Sequence, residues 1–303
     1  MSRFLIFTAD KRTWKSDRKL IFLGLWCLSK KELLNNSNLD YIFSRPYGVK
    51  SSEKNNDYIY VKKYKKIILK QLAVRLNKYH GLNYNSRLWN IILGHWLERI
   101  IKVNYNRYKT LEKCFFENNI SGFTLTNDHF SNFIPENSNE ALFLFNDVKF
   151  NSFLFSLILK KNKKNYEVDY SSQNARVKNK NTISFKKKSL KRKLSNLLNF
   201  LNLKANFFYI SPYIPFNILW RLSLAFKQLP SFYYKSTPLN AKPYDLIFRK
   251  EKLFANASAN FKEYENDEFI QFLNNNLLSF LPSSFVELFR NYENHPRELN
   301  WPH

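Results

Sequence analysis

The chain has 303 residues, with 49 Lys and Arg against 24 Asp and Glu, a net charge of +25. That length is enough for one large or two ordinary domains. A 44% hydrophobic content with 29 Phe, 18 Tyr and 6 Trp excludes a disordered chain, a collagen and a coiled coil. The two cysteines, Cys27 and Cys114, are too few for a disulfide scaffold, a Cys-based zinc site or an iron–sulfur cluster. Both thiols are expected to be reduced and buried.

Two short apolar runs open the chain, Phe4 to Thr8 and Leu20 to Gly24. Neither alternates, which suits strands covered on both faces in a parallel sheet flanked by helices. The first run is too short for an export signal. The longest uncharged apolar stretch, Leu20 to Leu28, is about half of the ~20 residues that a helix needs to cross a bilayer. Asn35 to Asp57 has no period and reads as a long surface loop. From Val61 to Tyr79 an amphipathic helix is predicted, with Tyr64, Ile68, Leu72 and Leu76 on one stripe. His80-Gly81 closes it, because Gly tolerates the left-handed conformation at a helix end. A second helix from about Ser86 carries Trp89, Leu93, Trp96, Ile100 and Val103 inward. Gly122 to Thr126 reads as a strand and Asn139 to Leu159 as one helix.

Lys160 to Ser184 reads as a mobile basic insertion, dividing an α/β domain into 1–159 and 185–303. Lys160 to Lys193 holds 13 Lys and Arg against Glu167 and Asp169, a local net of +11. Phe185 to Leu203 restores a helical period and resembles an interfacial helix. Its cations Lys186, Lys187, Lys188, Lys191, Arg192 and Lys193 are candidates for contact with an anionic membrane surface. Further on, Asn206 to Ile210 and Tyr244 to Phe248 read as strands, and Pro215 to Lys227 and Glu263 to Leu281 as helices. A basic surface also fits a nucleic-acid-binding protein using the 160–193 segment. No nucleic-acid motif, zinc signature, Gly-rich phosphate loop or catalytic triad spacing appears.

Several segments, in order, resemble a carbohydrate-transferase family encoded in bacterial O-antigen and surface-polysaccharide loci. They are Phe4-Leu5-Ile6-Phe7-Thr8-Ala9, Phe22-Leu23-Gly24-Leu25-Trp26-Cys27-Leu28, His80-Gly81-Leu82-Asn83-Tyr84-Asn85-Ser86-Arg87-Leu88-Trp89 and Leu93-Gly94-His95-Trp96-Leu97. Asn104-Tyr105-Asn106-Arg107-Tyr108 looks like the family's tyrosine–aspartate–arginine–tyrosine segment. Weaker likeness continues through Phe145-Asn146-Asp147, Leu229-Pro230 and Phe280 to Tyr292. The resemblance implies a Rossmann-like parallel sheet flanked by helices, as in the N-terminal, acceptor-side domain of a two-domain GT-B glycosyltransferase. It also implies a nucleotide-sugar donor held by a second domain, here a separate partner, since Asn300-Trp301-Pro302 looks like the linker before that domain. The acceptor would be a glycan or lipid-linked glycan, and the location cytoplasmic, peripheral on the inner face of the membrane. Leu25, Tyr84 and His95 stand where the family usually has Glu, His and Pro, and Tyr47-Gly48-Val49 replaces a histidine–tryptophan–aspartate loop. These departures imply a diverged or decaying copy, or one half of a split gene, and because such folds do their chemistry between two domains, the chain is expected to be inactive alone or dependent on a separate donor half.

Site candidates follow from chemistry and position. His80 is a candidate general base, since imidazole titrates near neutrality, with a helix cap as the alternative. Arg87 offers a bidentate fork to an acceptor phosphate, or is a surface residue in the first turn of a helix. Trp26, and Thr8 with it, falls near the end of a predicted strand, where open α/β sheets bind ligands; a core position is the alternative for the Trp. Trp89 and Trp96 are assigned to the core. No metal site and no bound cofactor is expected in this chain.

Overall fold

A computed structural model describes residues 2–28, 39–160, 166–171, 209–210, 215–227, 232–233, 249, 267–287 and 289. The chain divides into two units. The first comprises Met1–Asn174, Asn240–Asn294 and Trp301–His303; the second comprises Ala175–Leu239 and His295–Asn300.

The first unit is built on five strands, β1 (Arg3–Ile6), β2 (Leu20–Phe22), β3 (Tyr41–Phe43), β4 (Ile120–Thr126) and β5 (Glu167–Ser171). All pair in parallel, in the order β3-β2-β1-β4-β5. Helices flank the sheet, which is the Rossmann-like α/β architecture that the sequence predicts. Phe4, Leu5, Ile6, Leu20, Ile21 and Phe22 are all 0–1% exposed. Cover on both faces is the reason these strands read as continuous apolar runs. From β1 the chain steps outward to β2 and β3, then returns to place β4 on the other side of β1. That reversal leaves a crevice at the carboxyl ends of β1 and β4.

Two long helices, α1 (Ser51–His80) and α2 (Ser86–Glu117), carry the chain from β3 to β4. They are joined at Gly81, whose φ of 67° and ψ of 36° are left-handed, a conformation that Gly adopts without the steric cost a Cβ imposes. The predicted stripes are the buried ones, and Trp89 and Trp96 lie in the core at 0% and 2% exposure. Two more helices, α3 (Ser138–Leu144) and α4 (Val148–Leu159), connect β4 to β5. Thr126 N–H donates to Ser156 Oγ at 3.0 Å, fixing α4 against the end of β4.

Several sequence expectations change. The loop predicted over Asn35 to Asp57 contains β3 and the first turns of α1. Its strand is a half-exposed edge of three residues, and those first turns are largely solvated, so neither shows an apolar period. The single helix predicted over Asn139 to Leu159 is two helices bent by 80°. The break comes where Asp147 caps α4, its Oδ1 accepting the Phe150 N–H at 2.8 Å. The predicted basic insertion includes β5. Glu167 pairs with Arg18, and Asp169 with Lys15 at 2.8 Å, so the two acidic residues of the basic run are those that dock on the sheet. Residues 161–165 and 172–184, the predicted helix over 185–203 and the predicted strand over 244–248 lie outside the described residues.

The helix predicted from Glu263 is described as α6 (Glu268–Asn276), capped by Asp267 and followed by a 3₁₀ turn, Leu277–Phe280. In the second unit, β6 (Tyr209–Ile210) and β7 (Phe232–Tyr233) pair in parallel. Its helix α5 (Phe216–Ala225) starts directly after Pro215, as the sequence predicts. Among the described residues no single helix is long and apolar enough to cross a membrane.

Candidate functional site

At the carboxyl end of β1 lies a cavity of about 230 Å³. Phe7, Thr8 and Ala9 enter it from the loop after β1, and Trp26 from the 3₁₀ turn Leu25–Cys27 after β2. The middle of α2 adds Asn106, Arg107 and Thr110. The α3–α4 junction adds Phe145, Asn146, Val148 and Asn151. Because β1 is central and the chain reverses direction beside it, loops from neighbouring strands diverge there and leave the crevice open.

Trp26 Nε1–H donates to the carbonyl of Phe7 at 3.3 Å, which ties the loop after β2 to the end of β1. The indole lies back over Gly24, where an added Cβ would come within 2.1 Å of the ring. Trp26 is nevertheless 53% exposed and its neighbour Leu25 65%, so Trp26 is an exposed ring lining the cavity and not a core residue. Thr8 is 2% exposed. Its Oγ1 accepts the Asp10 N–H at 3.3 Å.

Among the described residues Arg107 is the only cation lining this cleft. Its Nε–H donates to Asn151 Oδ1 at 3.1 Å, and one terminal nitrogen donates to Asn106 Oδ1 at 2.9 Å. Asn151 is itself held through Nδ2, which donates to the carbonyls of Phe145 and Asp147. Among the described residues no carboxylate pairs with Arg107. A guanidinium carries five N–H donors, so three of them remain unused. Burial disfavours the charged form and lowers its pKa, yet an arginine stays protonated in proteins. The result is a fixed, half-buried positive charge whose unused donors are available to an anion.

The other candidates lie elsewhere. Arg87 stands in the first turn of α2 and lines a separate groove between α1 and α2. His80 is 3% exposed. Its Nε2 lies 3.0 Å from the carbonyl oxygen of Phe285, and its ring packs on Tyr79 and Phe289. It is the last residue of α1, the cap position being Gly81, and it lines neither cavity. Lys186, Lys187, Lys188, Lys191, Arg192 and Lys193 lie outside the described residues. The structure thus brings Thr8 and Trp26 together and leaves Arg87 and His80 apart from them.

Sequence reasoning missed Arg107 and its asparagines as site residues. The available signal was the Asn106-Arg107 pair in the segment resembling tyrosine–aspartate–arginine–tyrosine, with Arg107 four residues beyond Val103 on the continuation of the apolar stripe of α2. Among the described residues no group of His, Cys, Asp or Glu could hold a metal ion. Cys27 and Cys114 are fully buried. Burial pushes their thiols up to about 12 and about 11 respectively, which leaves them inert as nucleophiles at neutral pH.

A family model described as LIC12162 family transferase matches residues 3–303. No curated protein and no solved structure matches the chain.

Proposed function

The chain belongs to the LIC12162 family of transferases, and from that premise we propose that it is the acceptor-side part of a glycosyltransferase acting in O-antigen or surface-polysaccharide assembly. The observation that carries this reading is the half-buried guanidinium of Arg107, with unused donors, facing a cleft that also presents Trp26. A sugar ring packs its C–H face on an exposed indole, and a phosphate on the same sugar accepts from the guanidinium. Asn146 and Thr8 add neutral hydrogen-bonding groups. Exposed Leu25 beside the cleft suits an acceptor carried on a lipid at the inner face of the cytoplasmic membrane.

In the reaction, an acceptor hydroxyl oxygen bonds to the anomeric carbon of the donor sugar. The bond from that carbon to the nucleoside diphosphate breaks, its electron pair leaves on the diphosphate, and the hydroxyl proton passes to a base. Among the described residues the cleft is lined by Arg, Thr, Asn, Ala, Val and aromatic side chains, with no Asp, Glu or His. Its role is to bind and orient, and the base comes from outside this lining. A volume of about 230 Å³ is below the ~300–1,000 Å³ of usual ligand pockets and suits one sugar unit. The nucleotide-sugar is therefore held by a second domain or chain, in the GT-B manner, and this chain alone does not turn over. The nucleic-acid alternative rests on the 160–193 segment, most of which lies outside the described residues.

Calorimetric titration of the full chain with a monosaccharide phosphate tests the reading. The wild-type chain binds, and Arg107→Gln weakens binding about tenfold to hundredfold, the scale of losing hydrogen bonds from a charged donor. Unchanged binding in Arg107→Gln, or sugar transfer or nucleotide-sugar hydrolysis by the purified chain alone, overturns it.

A further inference from the structure

A second cavity, of about 460 Å³, runs between α1 and α2. From α1 it takes Tyr58, Val61, Lys62, Lys65, Lys66 and Leu69. From α2 it takes Ser86, Arg87, Asn90, Glu98 and Lys102. Five cations thus face one carboxylate. Glu98 is held between two of them, accepting from Lys65 at 2.7 Å and Lys102 at 2.6 Å. Those hydrogen bonds, Lys102 first, hold its carboxyl down to about 2. This ion-pair triad joins the two helices and fixes the groove wall. Lys62, Lys66 and Arg87 have no carboxylate partner among the described residues.

We propose that this groove is a binding site for an extended acidic glycan, a chain bearing carboxylate or phosphate groups along its length. That the ligand is a glycan rests on the transfer reading above; that it is a long anion rests on the groove itself. From Arg87 to Lys102 is fifteen residues of α2, about 22 Å along the helix axis. A compact anion would meet only part of that line, whereas a chain would meet the unpaired cations in series. Tyr58, flanked by Lys62 at 5.6 Å and Lys102 at 5.8 Å from its ring, offers an aromatic surface. Ser86 and Asn90 add neutral hydrogen-bonding groups between the charges. A single-stranded nucleic acid would want successive aromatic platforms for its bases, and among the described residues Tyr58 is the one aromatic side chain in the lining.

Binding of a sialic-acid oligomer and of its monomer to the full chain tests the site. The oligomer binds at least about tenfold more tightly than the monomer, because linked anions engage the cations together. The triple variant Lys62→Gln, Lys66→Gln, Arg87→Gln weakens the oligomer about tenfold or more. A control with equal charge loss on the same helix outside the groove, Lys54→Gln, Lys70→Gln, Lys78→Gln, changes it by about twofold at most. Circular dichroism of both variants matches the wild type. Equal loss in the control, equal affinity for the monomer, or tighter binding of a single-stranded oligonucleotide of the same charge overturns the proposal. Arg107→Gln leaves oligomer binding intact. If the sugar phosphate fails to bind while the oligomer does, the transfer reading falls and the anionic groove stands.

Discussion

The cleft at the end of β1 and the groove between α1 and α2 both present cations, and they do so by opposite means. In the cleft a single guanidinium is half-buried and held by asparagine side chains, its charge unopposed by any described carboxylate. In the groove five cations are mostly solvent-exposed, and one carboxylate ties two of them together. A buried charge acts over short range in a low dielectric and is little affected by salt. An exposed array acts collectively and is screened within about 10 Å at 0.1 M salt. The cleft is therefore suited to selecting one small group, and the groove to holding something long.

Both regions depend on α2, and the largest expected effect breaks both together. Trp89 is fully buried, packs on Tyr84 and Phe289 at 5.9 and 5.4 Å, and donates from Nε1 to Asn77 Oδ1 at 2.8 Å. Trp89→Ala is expected to cost about 3–5 kcal/mol, read from urea denaturation, and to abolish binding of both the sugar phosphate and the acidic oligomer. A variant that unfolds at the wild-type urea concentration would show that the hairpin is not stabilised through this residue.

A smaller change separates the two regions. At Gly24 the three atoms nearest to an added methyl all belong to the six-membered ring of Trp26, so the indole swings away while the strands stay in place. Gly24→Ala is expected to lower sugar-phosphate affinity about tenfold, at about 1 kcal/mol or less of stability. Oligomer binding should not change. If the cleft ligand binds Gly24→Ala as before, Trp26 is not part of its site.

The smallest effect concerns Glu98, whose carboxyl is held at about 2, below its ordinary 4.5. A depressed carboxylate stabilises the fold above its unfolded value, and that contribution is lost as pH falls through its folded value. The triad should therefore persist at pH 4 and disappear towards pH 2, with a contribution of no more than about 1 kcal/mol because the pairs are still partly exposed to solvent, which screens them. Carboxyl chemical shifts across this range give the midpoint, and a midpoint near 4.5 would mean that the triad is not formed in solution.

Much of the fold was legible because burial on two faces writes itself as continuous apolar runs. β1 and β2 were found in that way, β4 as a short strand over Gly122 to Thr126, and α1 and α2 through their stripes. β3 and β5 were not, since an edge strand is half solvated and carries Tyr41 or Asp169 as readily as Val168. Thr8 and Trp26 were legible as neighbours at the carboxyl end of β1 from a single rule, that open α/β sheets leave a crevice there. Arg107 was not, because an arginine continuing the stripe of α2 beyond Val103 reads as a side chain that reaches water until its partners from other elements are known. Its partner Asn151 is 44 residues away.

The sequence by itself determined the α/β class, the buried tryptophans, the close of α1 at Gly81 and the strong positive charge, because each follows from residue type and spacing over a few turns of chain. Only the tertiary structure decided which cations stand together. The return of the chain to the far side of β1 opens the crevice, and the antiparallel return of α2 along α1 sets Lys62 and Arg87 in one groove. These are contacts between residues far apart in sequence, fixed by how the whole sheet and helix pair bury their apolar faces.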